Sequence, residues 1–173
     1  MKKFLALIAL AAFSMTAFAH GPTPYKSDQS IVVKAEPAKA WAMVKDFGNV
    51  HAWMPTVAST KVTKKGKDTL RVISLKNGGK VTERLKSIND EDMKIKWEFV
   101  TGAPLSNYNA YISVKAGPKK GESTIRFFQR YYRYFVNNPP IPEGQDDAAA
   151  IKFVTETYEP GLENLKKVLN SSK

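Results

Sequence analysis

Apolar and polar residues alternate with the two-residue period of a β-strand through most of the middle of the chain. Six such segments are predicted as strands, at residues 57–64, 69–75, 80–88, 94–100, 108–116 and 123–135. The breaks between them carry turn residues, such as Asn77-Gly78-Gly79. Because connections this short join only antiparallel neighbours, the pattern predicts an antiparallel meander.

A different pattern precedes the meander. A strand is predicted at 31–35, and Pro37 suits the first position of the short amphipathic helix that follows. The apolar stripe of this helix consists of Ala40, Trp41, Val44 and Phe47. Gly48 is predicted to end the helix in a left-handed cap, and a second short turn is predicted over 49–53.

Near the end of the chain the period changes to that of a helix. Apolar residues recur at steps of three or four between 146 and 169, namely Ile151, Val154, Tyr158, Leu162, Leu165 and Leu169. One long helix is predicted here, with a kink at Pro160. The order of elements therefore predicts an α+β fold, in which a curved antiparallel sheet wraps around a long C-terminal helix.

Several short runs resemble one protein superfamily. These are Pro37-x-x-x-Trp41, Asp46-Phe47-Gly48-Asn49, GKVTERL at 79–85 and YEPGLENL at 158–165. Together with the order of elements, they resemble the START-like superfamily, also called polyketide cyclase/dehydrase-like or SRPBCC. The resemblance implies the helix-grip fold, with a cavity between sheet and helix. That fold hosts carriers, cyclases, hydrolases and accessory proteins.

The start of the chain has the features of a signal peptide. A basic pair is followed by an apolar run at 4–13 and by the small-x-small cleavage site Ala17-Phe18-Ala19. The apolar run is too short for a transmembrane anchor. We therefore predict a cleaved signal peptide at 1–19, a single START-like domain at 20–173, and a periplasmic location.

Charge and cysteine content narrow the choice of partner. The chain has 27 basic and 16 acidic residues and no cysteine. It therefore has neither a disulfide nor a thiolate metal site. A strongly basic domain usually indicates nucleic acid, but export excludes that partner. An acidic periplasmic protein or an anionic membrane surface remains, beside the alternative of a basic surface with no partner.

Strand alternation predicts a partly polar interior. Eight residues are predicted to line a ligand cavity: Trp53, Glu83, Trp97, Phe99, Tyr108, Phe127, Gln129 and Tyr131. A carboxylate and an amide among aromatic rings must be hydrogen-bonded or hydrated. Glu83, Gln129 and Tyr131 are therefore predicted to orient a small hydrophobic ligand. The alternative is an ordinary core, with Glu83 near its rim and Tyr131 reaching water.

The opposite face of the last predicted strand combines aromatic and basic side chains. Its residues are Arg126, Phe128, Arg130, Tyr132 and Tyr134. Because aromatic residues and arginine are enriched at protein interfaces, these five are predicted to form a partner surface. The alternative is a surface that covers itself, with arginine stacked on tyrosine.

Neither a catalytic residue nor a metal or other cofactor is predicted. The chain has only two histidines and has no Gly-rich phosphate loop and no nucleophile-elbow motif. Glu83 with Tyr131 is a candidate acid–base pair, but the sequence places no second titratable group beside it. His20 and His51 are candidate copper ligands, although nothing in their spacing brings them together.

The leader, the size, the basic charge and the run DFGNVHAWMP at 46–55 resemble the periplasmic accessory proteins of bacterial methanol oxidation. Those proteins are associated with methanol dehydrogenase and its cytochrome c. The leading hypothesis is therefore a non-catalytic accessory protein of such an electron-transfer system. The first alternative is a carrier of a small hydrophobic ligand, and the second is a cyclase- or hydrolase-like enzyme.

Overall fold

A computed structural model describes residues 21–171 of the protein. The strands are β1 (Tyr25–Val33), β2 (Val57–Lys65), β3 (Asp68–Leu75), β4 (Lys80–Asn89), β5 (Lys94–Thr101), β6 (Leu105–Ala116) and β7 (Ser123–Arg133). The helices are α1 (Pro37–Lys45), a 3₁₀ turn (Val50–Ala52), α2 (Asp147–Thr157) and α3 (Pro160–Ser171). The predicted signal peptide and His20 lie outside the described residues.

The seven strands form one curved antiparallel sheet in the order β1-β7-β6-β5-β4-β3-β2. The meander from β2 to β7 is confirmed, and each of its strands ends within three residues of the predicted limits. The predicted start of β1, at residue 31, is wrong, since the strand begins at Tyr25. The residues from 25 to 30 are mostly polar, and they become a strand by pairing with β7, from Tyr25 opposite Tyr131 to Val33 opposite Ser123.

The core lies between one face of the sheet and the helices. α1 contacts β6 and β7, α2 contacts β7, and α3 contacts β1. From the sheet, Ile95, Ile112 and Phe127 point into this core and are buried. From α3, Leu162 and Leu165 are buried in the same core cluster. Burial of these side chains supplies the main favourable term for folding.

The prediction of one long C-terminal helix is wrong, since two consecutive helices occupy that region. Pro160 is the first residue of α3, where it needs no N–H partner. Inside a continuous helix the same ring would clash with the carbonyl four residues back, so α2 ends before it. Among residues 21–171, no helix combines the length and the apolarity needed to cross a bilayer.

The predicted left-handed cap at Gly48 is also wrong. α1 ends at Lys45, and Asp46 follows in an extended conformation. Gly48 lacks a positive φ, and its N–H donates to Asp46 Oδ1 at 3.0 Å. The chain therefore turns after α1 through the side chain of Asp46, and not through a glycine cap.

Candidate functional site

The buried face of the sheet carries a charged pair. Arg71 on β3 lies directly opposite Glu83 on β4, and both side chains point into the core. Arg71 Nε donates to Glu83 Oε2 at 2.6 Å, and the second carboxylate oxygen accepts from the Tyr158 hydroxyl at 2.8 Å. Glu83 is completely buried, so the alternative that placed it near a rim is wrong.

The guanidinium of Arg71 is enclosed by aromatic rings. Its Cζ lies 4.2 Å from the ring centroid of Phe47 and 5.0 Å from that of Trp97. Arg71 Nη1 also donates to the carbonyl of Phe47 at 3.1 Å. A buried ion pair is tolerated only when such contacts replace the lost hydration. The pair is therefore held in one geometry by both the sheet and the segment after α1.

A second polar pair lies beside the first. The Tyr108 hydroxyl donates to Gln129 Oε1 at 3.0 Å, and the Tyr108 ring stacks on Tyr158 with centroids 5.5 Å apart. Burial, followed by the nearby charge of Glu83, raises the pKa of both tyrosines well above the ordinary value. Gln129 Nε2 is buried without a hydrogen-bond partner among the described residues.

The structure buries seven of the eight predicted cavity residues, and Phe99 is partly buried. It brings four of them, Glu83, Trp97, Tyr108 and Gln129, around the Arg71 cluster. Tyr131 instead stacks on Tyr25, with ring centroids 5.9 Å apart. Trp53 packs close to Gly161 on α3, and its carbonyl accepts from Asn164 at 3.0 Å.

Two members of the buried cluster were missed by the sequence prediction. The signal for Arg71 was present, because it shares a strand face with Ile73 and Leu75. The sequence pattern places Tyr158 in the apolar helix stripe and predicts no role for its hydroxyl. The residue pattern alone could not show that the break between α2 and α3 aims this hydroxyl at Glu83.

A groove of about 520 Å³ opens between α2 and one end of the sheet. Its lining consists of Pro55, Thr56, Leu75, Lys76, Asn77, Pro104, Ala149, Lys152, Phe153, Glu156 and Thr157, none of which was predicted as a cavity residue. Phe153 meets the Tyr158 ring edge-on, with centroids 6.0 Å apart. The groove is thus one side chain away from the buried Glu83 cluster.

The outer face of the sheet arranges the predicted partner residues with others that the prediction missed. One cross-strand row runs Lys96, Tyr111, Phe128 and Asp28, and the next row runs Lys94, Ser113, Arg126 and Ser30. Tyr111 stacks on Phe128 with centroids 5.1 Å apart. Lys94 Nζ lies 4.0 Å from the Tyr111 centroid. The centre of this face is therefore an aromatic pair overlaid by a cation.

Some of the predicted partner residues form hydrogen bonds with one another or an ion pair with β1. Arg126 forms a two-pronged ion pair with Asp28, which holds the pKa of that carboxyl below its ordinary value. Arg130 Nη2 donates to the Tyr132 hydroxyl at 2.6 Å. Tyr134 lies beyond the end of β7 and is exposed, so it does not belong to the strand row.

Residues 21–171 contain no group of three or more acidic or histidine side chains arranged to hold a metal ion. The candidate sites in this part of the chain are the buried ion pair, the groove beside α2 and the basic aromatic outer face.

Comparison with known proteins finds a matching family and several similar structures. The family described as polyketide cyclase / dehydrase and lipid transport matches residues 25–170. The protein XoxI from Bacillus cereus is 22% identical with a TM-score of 0.70, over 84% of this chain and 96% of that one. A protein from Nitrosospira multiformis is 16% identical with a TM-score of 0.65, over 85% and 97% of the two chains. No curated protein sequence matches the chain.

Proposed function

The chain belongs to the polyketide cyclase/dehydrase and lipid transport family, and within it we propose a role as a non-catalytic periplasmic accessory protein. Its partner is an acidic protein of a dehydrogenase–cytochrome c electron-transfer system. The functional type that we propose is that of MxaD, which assists methanol dehydrogenase in bacterial methanol oxidation. The likeness of the sequence to such accessory proteins motivates this choice, and the outer face of the sheet supplies a surface for the partner.

The observation that carries the proposal is the stacked Tyr111–Phe128 pair surrounded by cations. Lys94, Lys96 and Lys115 form no ion pair with any carboxylate of residues 21–171. Aromatic rings supply contact area at low entropy cost, and unneutralised cations attract an acidic surface. The combination favours a protein partner over a purely solvated surface.

The state of Glu83 supports a non-catalytic role. Both of its oxygens are engaged, one by Arg71 and one by Tyr158. Tyr131, the other half of the candidate acid–base pair, lies against Tyr25 instead. A general base must reach the proton that it removes, and a fully buried, ion-paired carboxylate is poorly placed for that task.

Surface plasmon resonance with purified methanol dehydrogenase and its cytochrome c tests the proposal. We expect association with one of them to slow steeply as salt rises, because the Debye length falls to about 8 Å at physiological ionic strength. The double reversal Lys96→Glu/Arg130→Glu should lower the association rate roughly tenfold. Absence of salt-dependent association with both proteins would overturn the proposal.

A matched control keeps the test specific. Lys61 and Lys64 are exposed on β2, at the far edge of the sheet. The double reversal Lys61→Glu/Lys64→Glu changes the net charge by the same amount but leaves the aromatic pair untouched. An equal effect of the two double variants would mean that net charge, rather than this face, governs association.

The groove beside α2 favours a second candidate function, the carriage of a small hydrophobic ligand. Leu75, Phe153 and the two prolines Pro55 and Pro104 make its walls largely apolar. A largely apolar groove of this size with a few polar groups is typical of ligand sites. An apolar fluorophore should bind, and Ala149→Trp should abolish the binding by filling the groove. Ala148→Trp, on the exposed side of α2, is the matched control.

A further inference from the structure

The outer face of the sheet contains a concavity beside the stacked Tyr111–Phe128 pair. Its floor is Ser113 on β6, which lies opposite Lys94 of β5 on one side and opposite Arg126 of β7 on the other. Neighbouring strands are about 4.8 Å apart, so the two cationic residues flank the serine with backbones about 10 Å apart. A short side chain between two long ones leaves a hollow of about 360 Å³.

The positions along β6 close the hollow at its other two ends. Tyr111 and Lys115 lie two residues before and after Ser113, on the same face of the strand. Thr124, opposite Lys115, adds a second hydroxyl to the lining. The hollow is thus bounded by three cationic side chains, and its floor carries hydroxyl groups that can donate hydrogen bonds.

The balance of charge in the hollow is positive. Arg126 is paired with Asp28, but neither Lys94 nor Lys115 has an ion-pair partner within residues 21–171. Burial lowers the pKa of Lys94, and the repulsion of Lys96, Arg126 and Lys115 lowers it further. Asp92 also lines the hollow and offsets part of this repulsion. Cations that repel one another across a hollow are relieved by an anion placed between them.

We propose that this hollow, the Ser113 site, binds a free compact oxyanion, either phosphate or a small carboxylate. The anion lies over the Ser113 hydroxyl, with Lys94 and Lys115 as its charged contacts and Arg126 held in place by Asp28. Charge-assisted hydrogen bonds of this kind are about twice as strong as neutral ones. The site goes beyond the proposed function, because its ligand is a small free anion rather than a protein, and it shares Lys94 and Lys115 with the partner surface.

Titration of the ¹⁵N-labelled protein, without its leader, tests the Ser113 site by NMR. Inorganic phosphate and succinate are added in separate arms, with chloride adjusted to keep the ionic strength constant. We expect saturable shifts of the Ser113, Thr124 and Lys94 amide signals in at least one arm, with half-saturation on the order of 1 mM. The arm that saturates at the lower concentration identifies the preferred anion as phosphate or carboxylate.

Two charge-removing variants make the result decisive. Lys94→Met/Lys115→Gln should weaken binding at least tenfold, while the methionine keeps its contact with the Tyr111 ring. Lys61→Met/Lys64→Gln removes the same charge from β2 and should leave binding within twofold of the parent. Shifts that fail to saturate, or that persist unchanged in the first variant, overturn the Ser113 site. The partner proposal is tested separately, since Lys96 and Arg130 lie outside the hollow.

Discussion

The hydroxyl of Tyr158 donates a 2.8 Å hydrogen bond to Oε1 of Glu83, and this bond links the break between α2 and α3 to strand β4. The other oxygen of Glu83 binds Arg71 at 2.6 Å. The three side chains therefore share one hydrogen-bond network. Loss of one member leaves the others buried without a partner.

Removal of this hydrogen bond should cost less stability than removal of the charge. Tyr158→Phe should lower the free energy of unfolding by about 1–3 kcal/mol, because one oxygen of Glu83 is left without its donor. Glu83→Gln should cost about 3–5 kcal/mol, because Arg71 then stays buried without a counter-charge. Urea denaturation monitored by circular dichroism measures both values.

Tyr134→Phe is the control for this prediction, since Tyr134 is exposed and should change stability by less than about 0.5 kcal/mol. Equal costs for the Tyr158 and Tyr134 variants would show that the network does not stabilise the fold.

The buried tyrosines predict a loss of stability at alkaline pH. In the folded protein the pKa values of Tyr108 and Tyr158 are raised well above 10.0, whereas the unfolded chain releases these protons near that value. Their contribution is complete below pH 10 and declines above it, by about 1.4 kcal/mol per pH unit for each tyrosine. Urea denaturation at several alkaline pH values measures this slope.

The Tyr158→Phe variant should show a shallower alkaline decline than the parent protein. Ultraviolet absorbance of the phenolate supplies an independent reading, because the variant has one late-ionising tyrosine fewer. Ionisation of every tyrosine near pH 10 in the folded protein would contradict the prediction.

Gly102 is expected to be intolerant of any side chain. Its φ is +100°, and a Cβ there would overlap the carbonyl oxygen of Lys80. Gly102→Ala should therefore cost at least about 3 kcal/mol, from backbone strain and from the clash. Gly66, with φ of +61° and open space around it, isolates the strain, and Gly66→Ala should cost about 1–2 kcal/mol. Thermal denaturation of both variants checks the difference.

The pair of Asp28 and Arg126 should be visible in an acid titration. The hydrogen bonds from Arg126 lower the pKa of Asp28 below 3.8, so the pair stabilises the fold above that pH and is lost as the pH falls through the lowered value. NMR titration of the Asp28 carboxyl carbon measures it directly. In Arg126→Gln the midpoint should return toward 3.8, and an unchanged midpoint would show that the pair is not formed in solution.

The predicted signal peptide gives a prediction about mass. Cleavage after Ala19 would leave the described domain whole, because β1 begins at Tyr25. Intact-mass measurement of protein from the periplasmic fraction should find a chain that starts at His20. A mass that includes the leader would remove the argument for a periplasmic partner.

The sequence was most informative where the interactions are local. Strands β2 to β7 follow one another through short turns, so the alternation of each strand was enough to place it. β1 was misplaced because its first residues are mostly polar, and its pairing partner lies far along the chain. The pattern predicted one helix with a kink at Pro160, because the apolar stripe spans this proline without interruption, whereas in the structure the proline starts a new helix.

The candidate sites depended on register, which the sequence pattern does not contain. Bulges and turns decide whether Ser113 pairs with Lys94 or with the next residue of β5. A shift of the register by one residue would move every side chain of the strand to the opposite face of the sheet. Arg71 could be assigned to the inner face by alternation, but only the register places it opposite Glu83. The inner and outer faces were therefore predictable, whereas the pairs that give them chemistry were not.

The pairing of β1 with β7 has a consequence for the order of folding. Each turn of the meander closes a short loop. By contrast, β1 can pair only after β7, the last strand of the sheet, has been synthesised. Contacts between such distant segments slow folding, because the chain loses entropy before the contact stabilises it. A chain interrupted before β7 would leave β1 without its strand partner and β6 with an open edge. The sheet is therefore completed only when nearly the whole chain is present.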